Sequence, residues 1–111
     1  MAALYVPEAG DIVWLHFDPQ AGHEQAGHRP ALVVSPAGYN AKTKLLICCP
    51  MTMLLKGYPF EVIIAGERAG AVLADQMKNL DWVARKARLK GKVSAAELAQ
   101  VRAKIAALLG K

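Results

Sequence analysis

A carboxylate, an imidazole and a guanidinium fall within one short run, Glu24-Gln25-Ala26-Gly27-His28-Arg29-Pro30. Chemistry that removes a proton and then stabilises extra negative charge uses such residue types: an acid–base group, and a fixed cation to meet the charge. Pro30 fixes its own φ and drives Arg29 towards an extended backbone. A surface loop in which Glu24 and Arg29 are merely solvated fits the same composition. The residue types alone do not choose between the two readings.

The flanking segments must position that run. Asp11 to Phe17 is rich in β-branched and aromatic residues and apolar on both faces, which predicts a central strand with Trp14 in the core. Residues 18–28 hold Pro19, Gly22 and Gly27, a loop signature. Ala31 to Ser35 predicts the next strand, stopped by Pro36 and Gly38 and able to anchor the polar loop rigidly. Leu45 to Cys49 predicts a third strand, stopped by Pro50 and followed by a loop to Pro59. Phe60 to Ile64 and Ala71 to Ala74 predict two more, joined by a turn from Gly66 to Gly70. Met77 to Val93 reads as one or two short strands around a basic turn. Ser94-Ala95-Ala96-Glu97 is a capping box, and Leu98, Val101, Ile105 and Leu108 recur at helical spacing. That predicts an amphipathic helix from Ala95 to Leu109, ended by Gly110. Short strands followed by one helix suggest a mainly β fold, a small curled barrel with the helix packed on it.

The length of 111 residues predicts one domain, residues 1–111. A hydrophobic content of 54% argues against disorder and suits a chain that covers apolar surface with a second copy of itself. Met1 to Glu8 lacks a basic, apolar leader pattern, and Leu45 to Leu55 is too short to span a bilayer, so a cytoplasmic protein without membrane contact is expected. Cys48 and Cys49 are adjacent; on a strand they point to opposite faces, as buried free thiols rather than a disulfide or a CxxC site. His16, His23 and His28 show no metal-ligand spacing, so neither metal nor cofactor is expected.

Charge is uneven. Residues 1–41 carry four acids and one base, Arg29, whereas thirteen bases face five acids from Lys42 onward. Lys78, Arg85, Lys86, Arg88, Lys90 and Lys92 cluster against Asp81 alone. A phosphate backbone would be drawn to such a cluster, although solvated basic edges are also common on small β proteins.

Several motifs stand in the order of a known family: Gly10-Asp11-Ile12-Val13-Trp14, Glu24 to Ala31, Pro50-Met51-Thr52, Lys56-Gly57-Tyr58-Pro59-Phe60-Glu61-Val62 and Leu73-Ala74-Asp75-Gln76. From about Tyr5 to the last helix the chain resembles the MazF/PemK-type toxins of bacterial toxin–antitoxin pairs. The resemblance implies a small SH3-like barrel, of the kind shared by CcdB and MazF, working as a homodimer. It implies a metal-independent endoribonuclease that cuts single-stranded messenger RNA, and a MazE-like antitoxin whose acidic tail lies across the RNA groove. Carried over by position, Glu24 is the general base, Arg29 the cationic catalyst and Thr52 a hydroxyl near the scissile phosphate. Gln25, His28, Lys56, Tyr58, Asp75, Gln76 and Lys78 are the candidate substrate contacts. Two departures touch specificity: Met53 stands where many relatives have a second hydroxyl, and Leu54 and Leu55 make that loop unusually apolar.

The chemistry is self-consistent. RNA carries its own nucleophile, the 2′-hydroxyl, so cleavage needs a base, charge stabilisation on the phosphorane and a proton for the leaving 5′-oxygen. A guanidinium is a poor proton donor at neutral pH but a good planar fork for phosphate oxygens. His28 is better suited to donate, yet neighbours in an extended segment face opposite sides. Tyr39, Tyr58, Trp82 and Phe17 are candidate stacking platforms for unpaired bases. Two rival readings use the same barrel: a non-catalytic toxin of the CcdB type that poisons a topoisomerase, and a module that binds RNA without cutting it.

Overall fold

The computed structural model describes residues 5–17, 27–66 and 70–111. Glu24 and Gln25 therefore lie outside the described residues, as does the side chain of Phe17. Among the described residues, seven strands and two helices follow in order: β1 (Asp11–Phe17), β2 (Gly27–Val33), α1 (Ala37–Thr43), β3 (Leu45–Thr52), β4 (Glu61–Ile63), β5 (Ala71–Leu73), β6 (Lys78–Asp81), β7 (Arg88–Lys92) and α2 (Ala95–Leu108). The antiparallel pairings run β4-β5-β3-β2-β1-β7, with β6 also on β3. The mainly β architecture with a C-terminal helix is as expected, but the described pairings end at β4 and β7 and do not close into a full barrel.

β1 is central, between β2 and β7, because its alternate residues fill two cores. Ile12 joins Leu32, Cys49, Met51, Val62, Val72 and Val101 on one face. Val13 and Leu15 join Ala31, Val33, Leu46, Cys48 and Trp82 on the other. Cys48 and Cys49 thus face opposite cores as free thiols. Burial pushes both thiols up to about 12.

Four expectations are corrected. β2 starts at Gly27, so His28, Arg29 and Pro30 belong to a strand rather than to a loop. Ala37–Thr43, read as a strand stop, is a short helix. Tertiary bonds hold it: buried Asn40 donates to Pro7 O (2.8 Å) and Ser35 O (3.1 Å), and accepts from Ser35 Oγ at 2.6 Å. Trp82 is no base platform, since it is 8% exposed and donates its indole N–H to Asn40 O at 2.9 Å. Finally, Pro50 does not stop β3, which runs on to Thr52.

Pro50 is tolerated for a geometric reason. Val34 N donates to Ile47 O (2.9 Å), which makes 34/47 and 32/49 the hydrogen-bonded pairs of the β2–β3 ladder. Pro50, opposite Ala31, then has its nitrogen turned away from β2. On that side β6 ends at the Cys48–Lys78 pair and β5 begins at Met51–Val72, so no donor is required there.

α2 carries the capping box: Ser94 Oγ accepts from Glu97 N at 3.1 Å, and Glu97 Oε1 accepts from Ser94 N at 2.8 Å. Val101 is buried, with Leu98 and Ile105 packed beside it on the protein's own core. Leu108, the last residue of the expected stripe, is half exposed. No helix among the described residues is long and apolar enough to cross a membrane.

Candidate active site

The same ladder that accommodates Pro50 opens a cleft at Pro30. After 34/47 and 32/49, the next hydrogen-bonded pair would be 30/51, and Pro30 has no N–H to give. β2 and β3 part beyond the Ala31–Pro50 pair. A cavity of about 710 Å³ lies there, lined by Arg29, Pro30, Met51, Thr52, Met53, Trp14, Lys90, Gly66 and Gly70. Continuing the register by two residues sets Arg29 across from Thr52, and alternation puts both on one face. Both are half-buried. The described lining holds two cations, Arg29 and Lys90, and no carboxylate, which suits an anion.

Thr52 Oγ1 accepts from Leu54 N at 3.0 Å, the local turn bond expected of a threonine after a proline. That bond uses the oxygen as acceptor, so the hydroxyl proton can still be donated into the cleft. Lys90 is the extra residue of a β-bulge between the Ile12–Gly91 and Val13–Leu89 pairs. Its ammonium lies 5.4 Å from the centre of the Trp14 ring. Trp14, expected in the core, is half-buried and forms part of the cavity wall instead.

Thr52 also borders a second, smaller cavity of about 320 Å³, with Leu54, Lys56, Tyr58, Glu61, Leu73 and Gln76. Here the Glu61 carboxylate accepts from Lys56 N (3.0 Å) and Gly57 N (3.2 Å) and shapes the turn. Gly57 has φ +70°, a conformation that side-chain-bearing residues rarely adopt. The Tyr58 hydroxyl donates to Asp75 Oδ2, and that bond is the main reason the phenol titrates above its ordinary range. Asp75 Oδ1 is buried and has no hydrogen-bond partner among the described residues.

Of the sequence-derived site residues, Arg29 and Thr52 come together at the larger cavity, and Lys56, Tyr58 and Gln76 line the smaller one, with Asp75 behind Tyr58. His28 and Lys78 line neither. Lys78 is exposed on β6 opposite Cys48. His28 faces away from Arg29, pairs with His16 across β1, and meets its ring edge-on at 4.6 Å between centroids. Desolvation, then the neighbouring His16, Arg88 and Lys86, hold its pKa below the usual imidazole value. Sequence reasoning gave Glu61 no site role, placed Trp14 in the core and counted Lys90 only within the basic cluster. Glu61 had a usable signal, a carboxylate four residues after a glycine turn; the other two are set by strand pairing and a bulge.

The chain matches the family described as "PemK-like, MazF-like toxin of type II toxin-antitoxin system" over residues 8–109. It belongs to that family. It is 53% identical over 111 residues to the endoribonuclease toxin MazF of Escherichia coli, covering 99% of this chain and 100% of the relative. It is 38% identical over 84 residues to the Escherichia coli endoribonuclease PemK, covering 70% of this chain and 63% of that protein. A MazE–MazF crystal structure from Deinococcus radiodurans superposes with a TM-score of 0.88 at 54% identity, covering 96% of this chain and 97% of that one. A crystal structure of MazF alone from the same organism gives a TM-score of 0.87 at 53% identity, with 96% and 99% coverage. Within this MazF-like toxin, the two departures from the common motif sit at the cavity mouths. Met53 borders the larger cavity and Leu54 the smaller, and both side chains are exposed.

Proposed function

We propose that this endoribonuclease toxin cuts single-stranded RNA at the cleft between β2 and β3, letting each 2′-hydroxyl attack its own phosphate. The observation that carries the reading is that Arg29 and Thr52 line one cavity, where the β2–β3 pairing ends, in a chain of the MazF-like family. Arg29 grips two non-bridging oxygens of the phosphorane with its planar fork. Thr52 donates its hydroxyl to the same group. Glu24, which would be ionised at neutral pH, takes the 2′-hydroxyl proton. The bond from the 2′-oxygen to phosphorus forms as the bond to the leaving 5′-oxygen breaks, and water protonates that oxygen. The products are a 2′,3′-cyclic phosphate and a 5′-hydroxyl. The RNA supplies its own nucleophile, so the step calls for no metal.

Gln25, His28, Lys56, Tyr58, Asp75, Gln76 and Lys78 are proposed contacts for the flanking nucleotides, with Tyr58, Lys56 and Gln76 at the smaller cavity. The whole chain, residues 1–111, acts as one functional domain in a cytoplasmic homodimer. A MazE-like antitoxin is the proposed protein partner, since a MazE–MazF complex stands among the structural relatives; its acidic tail would cover the cationic cleft.

Incubation of the protein with a long single-stranded RNA in EDTA, followed by mapping of the ends, tests this. Cyclic-phosphate and 5′-hydroxyl ends are expected, with no cut where the attacking nucleotide is 2′-deoxy. Arg29→Ala and Glu24→Ala are each expected to lose at least roughly 10² in rate. Binding of intact RNA without cleavage, or near-full activity in a folded Arg29→Ala protein, would refute the proposal.

A further inference from the structure

Besides β1, β2, β3 and β7, one more segment walls the larger cavity. Gly66 and Gly70 come from the turn between β4 and β5. Within that turn Ile64 N donates to Gly70 O at 3.1 Å, which closes its base. Its outer side is held by the C-terminal helix: Glu97 Oε2 accepts from Ala65 N at 2.8 Å, thirty-two residues away in sequence. The other oxygen of the same carboxylate completes the helix cap at Ser94 N. A second side chain of α2, Lys104, donates to Pro59 O at 2.7 Å, just before β4. The helix therefore grips the β4–β5 hairpin at both ends.

We infer that Glu97 is a positioning residue for RNA: through Ala65 it fixes the Gly66 wall of the cleft, and Lys104 fixes the other end of the hairpin through Pro59. The inference rests on the proposed RNA cleavage at this cleft. The capping box alone explains one oxygen of Glu97; the bond to Ala65 is additional and ties the helix start to the cavity. Backbone N–H groups of Ser94 and then Ala65 hold the Glu97 carboxyl below its ordinary range, so it stays ionised and accepts both bonds at neutral pH. Arg29 sits on β2, and Thr52 is held by its own pairing with Ala71 of β5, whereas Ala65 and Pro59 flank the outer strand β4; loosening that strand therefore weakens the grip on RNA more than it disturbs the groups at phosphorus.

Three variants of the full chain separate positioning from stability. Glu97→Ala removes the Ala65 bond and the carboxylate's own cap bond from Ser94 N, Ser94→Ala removes the reciprocal cap bond from Glu97 N, and Lys104→Met removes the Pro59 bond alone. Steady-state cleavage of an RNA oligonucleotide is expected to show KM raised about fivefold or more in Glu97→Ala and raised in Lys104→Met, with kcat within about twofold of the parent. Ser94→Ala is expected to lower Tm while leaving KM unchanged. Amide hydrogen exchange by NMR gives an activity-independent readout: Ala65 should exchange faster in Glu97→Ala and not in Ser94→Ala. Equal KM shifts in Ser94→Ala and Glu97→Ala, or an unchanged KM in Glu97→Ala, would overturn the inference. If the parent cuts no RNA, the proposed function fails separately. Unchanged Ala65 exchange in Glu97→Ala would then still refute the positioning role.

Discussion

Replacing Thr52 by Val keeps the shape of the side chain and deletes its hydroxyl, which has two separable jobs. The first is structural: Oγ1 accepts from Leu54 N at 3.0 Å on the exposed side of the turn. An ordinary hydrogen bond contributes about 0.5–1.5 kcal/mol net, and water can replace it at this exposed amide, so the stability loss should fall at the low end. The second is catalytic: the hydroxyl proton would meet an oxygen that gains negative charge at the transition state. Hydrogen bonds to charged groups contribute about 1.5–3 kcal/mol, which converts to a rate loss of roughly 10- to 150-fold. Thr52→Ser restores a donor in the same place and should recover most of the rate. The assay is single-turnover cleavage of a defined RNA oligonucleotide with saturating protein, beside a thermal melt of each variant. A Thr52→Val protein that keeps at least half the parental rate would leave the hydroxyl with only its turn bond. Equal losses in Val and Ser variants would refute the donor role as well.

Other outcomes follow from the fold. Asn40→Ala removes three side-chain hydrogen bonds around a fully buried site and should destabilise the protein by roughly 2–4 kcal/mol in urea unfolding, while the Trp82 bond to the backbone of residue 40 survives. Asp11 is buried; burial raises its pKa, but bonds from Lys92 (2.5 Å), Tyr5 (2.5 Å) and Glu8 N (3.0 Å) outweigh that and lower it. Its stabilisation is therefore fully present above the unfolded carboxylate value of about 3.9 and disappears as pH falls through the lower native value. Urea midpoints of the parent should drop below about pH 4, and Asp11→Asn should be less stable at pH 6 with a weaker acid dependence. A parallel pH dependence in both proteins would rule this out. Cys48 and Cys49, buried and poorly ionised, should resist a soluble thiol reagent in the native state and react at the rate of unfolding; prompt labelling at pH 8 would contradict their packing.

Local rules make several parts of this protein legible in the sequence itself. The capping box at Ser94 and Glu97 starts α2 where its spacing places it, because both partners lie within one helical turn. The adjacent cysteines face opposite cores because a strand alternates. The ordered motifs carried the family, and so the expectation of Arg29 and Thr52 as partners. α1 was not legible: seven residues with Pro36 and Gly38 at the start have no local reason to be helical, and Asn40 holds them through contacts distant in sequence.

Tertiary structure alone decided how the site is assembled. In the sequence Pro30 and Pro50 look alike as strand breakers. The ladder phase makes them opposites: Pro50 turns its missing donor into an idle gap, and Pro30 withholds a bond where β2 and β3 would otherwise stay zipped. Arg29 and Thr52 line that opening together although twenty-two intervening residues separate them. No short-range pattern encodes such a pairing, because strand register is a property of two segments together and of the cores that fix their faces.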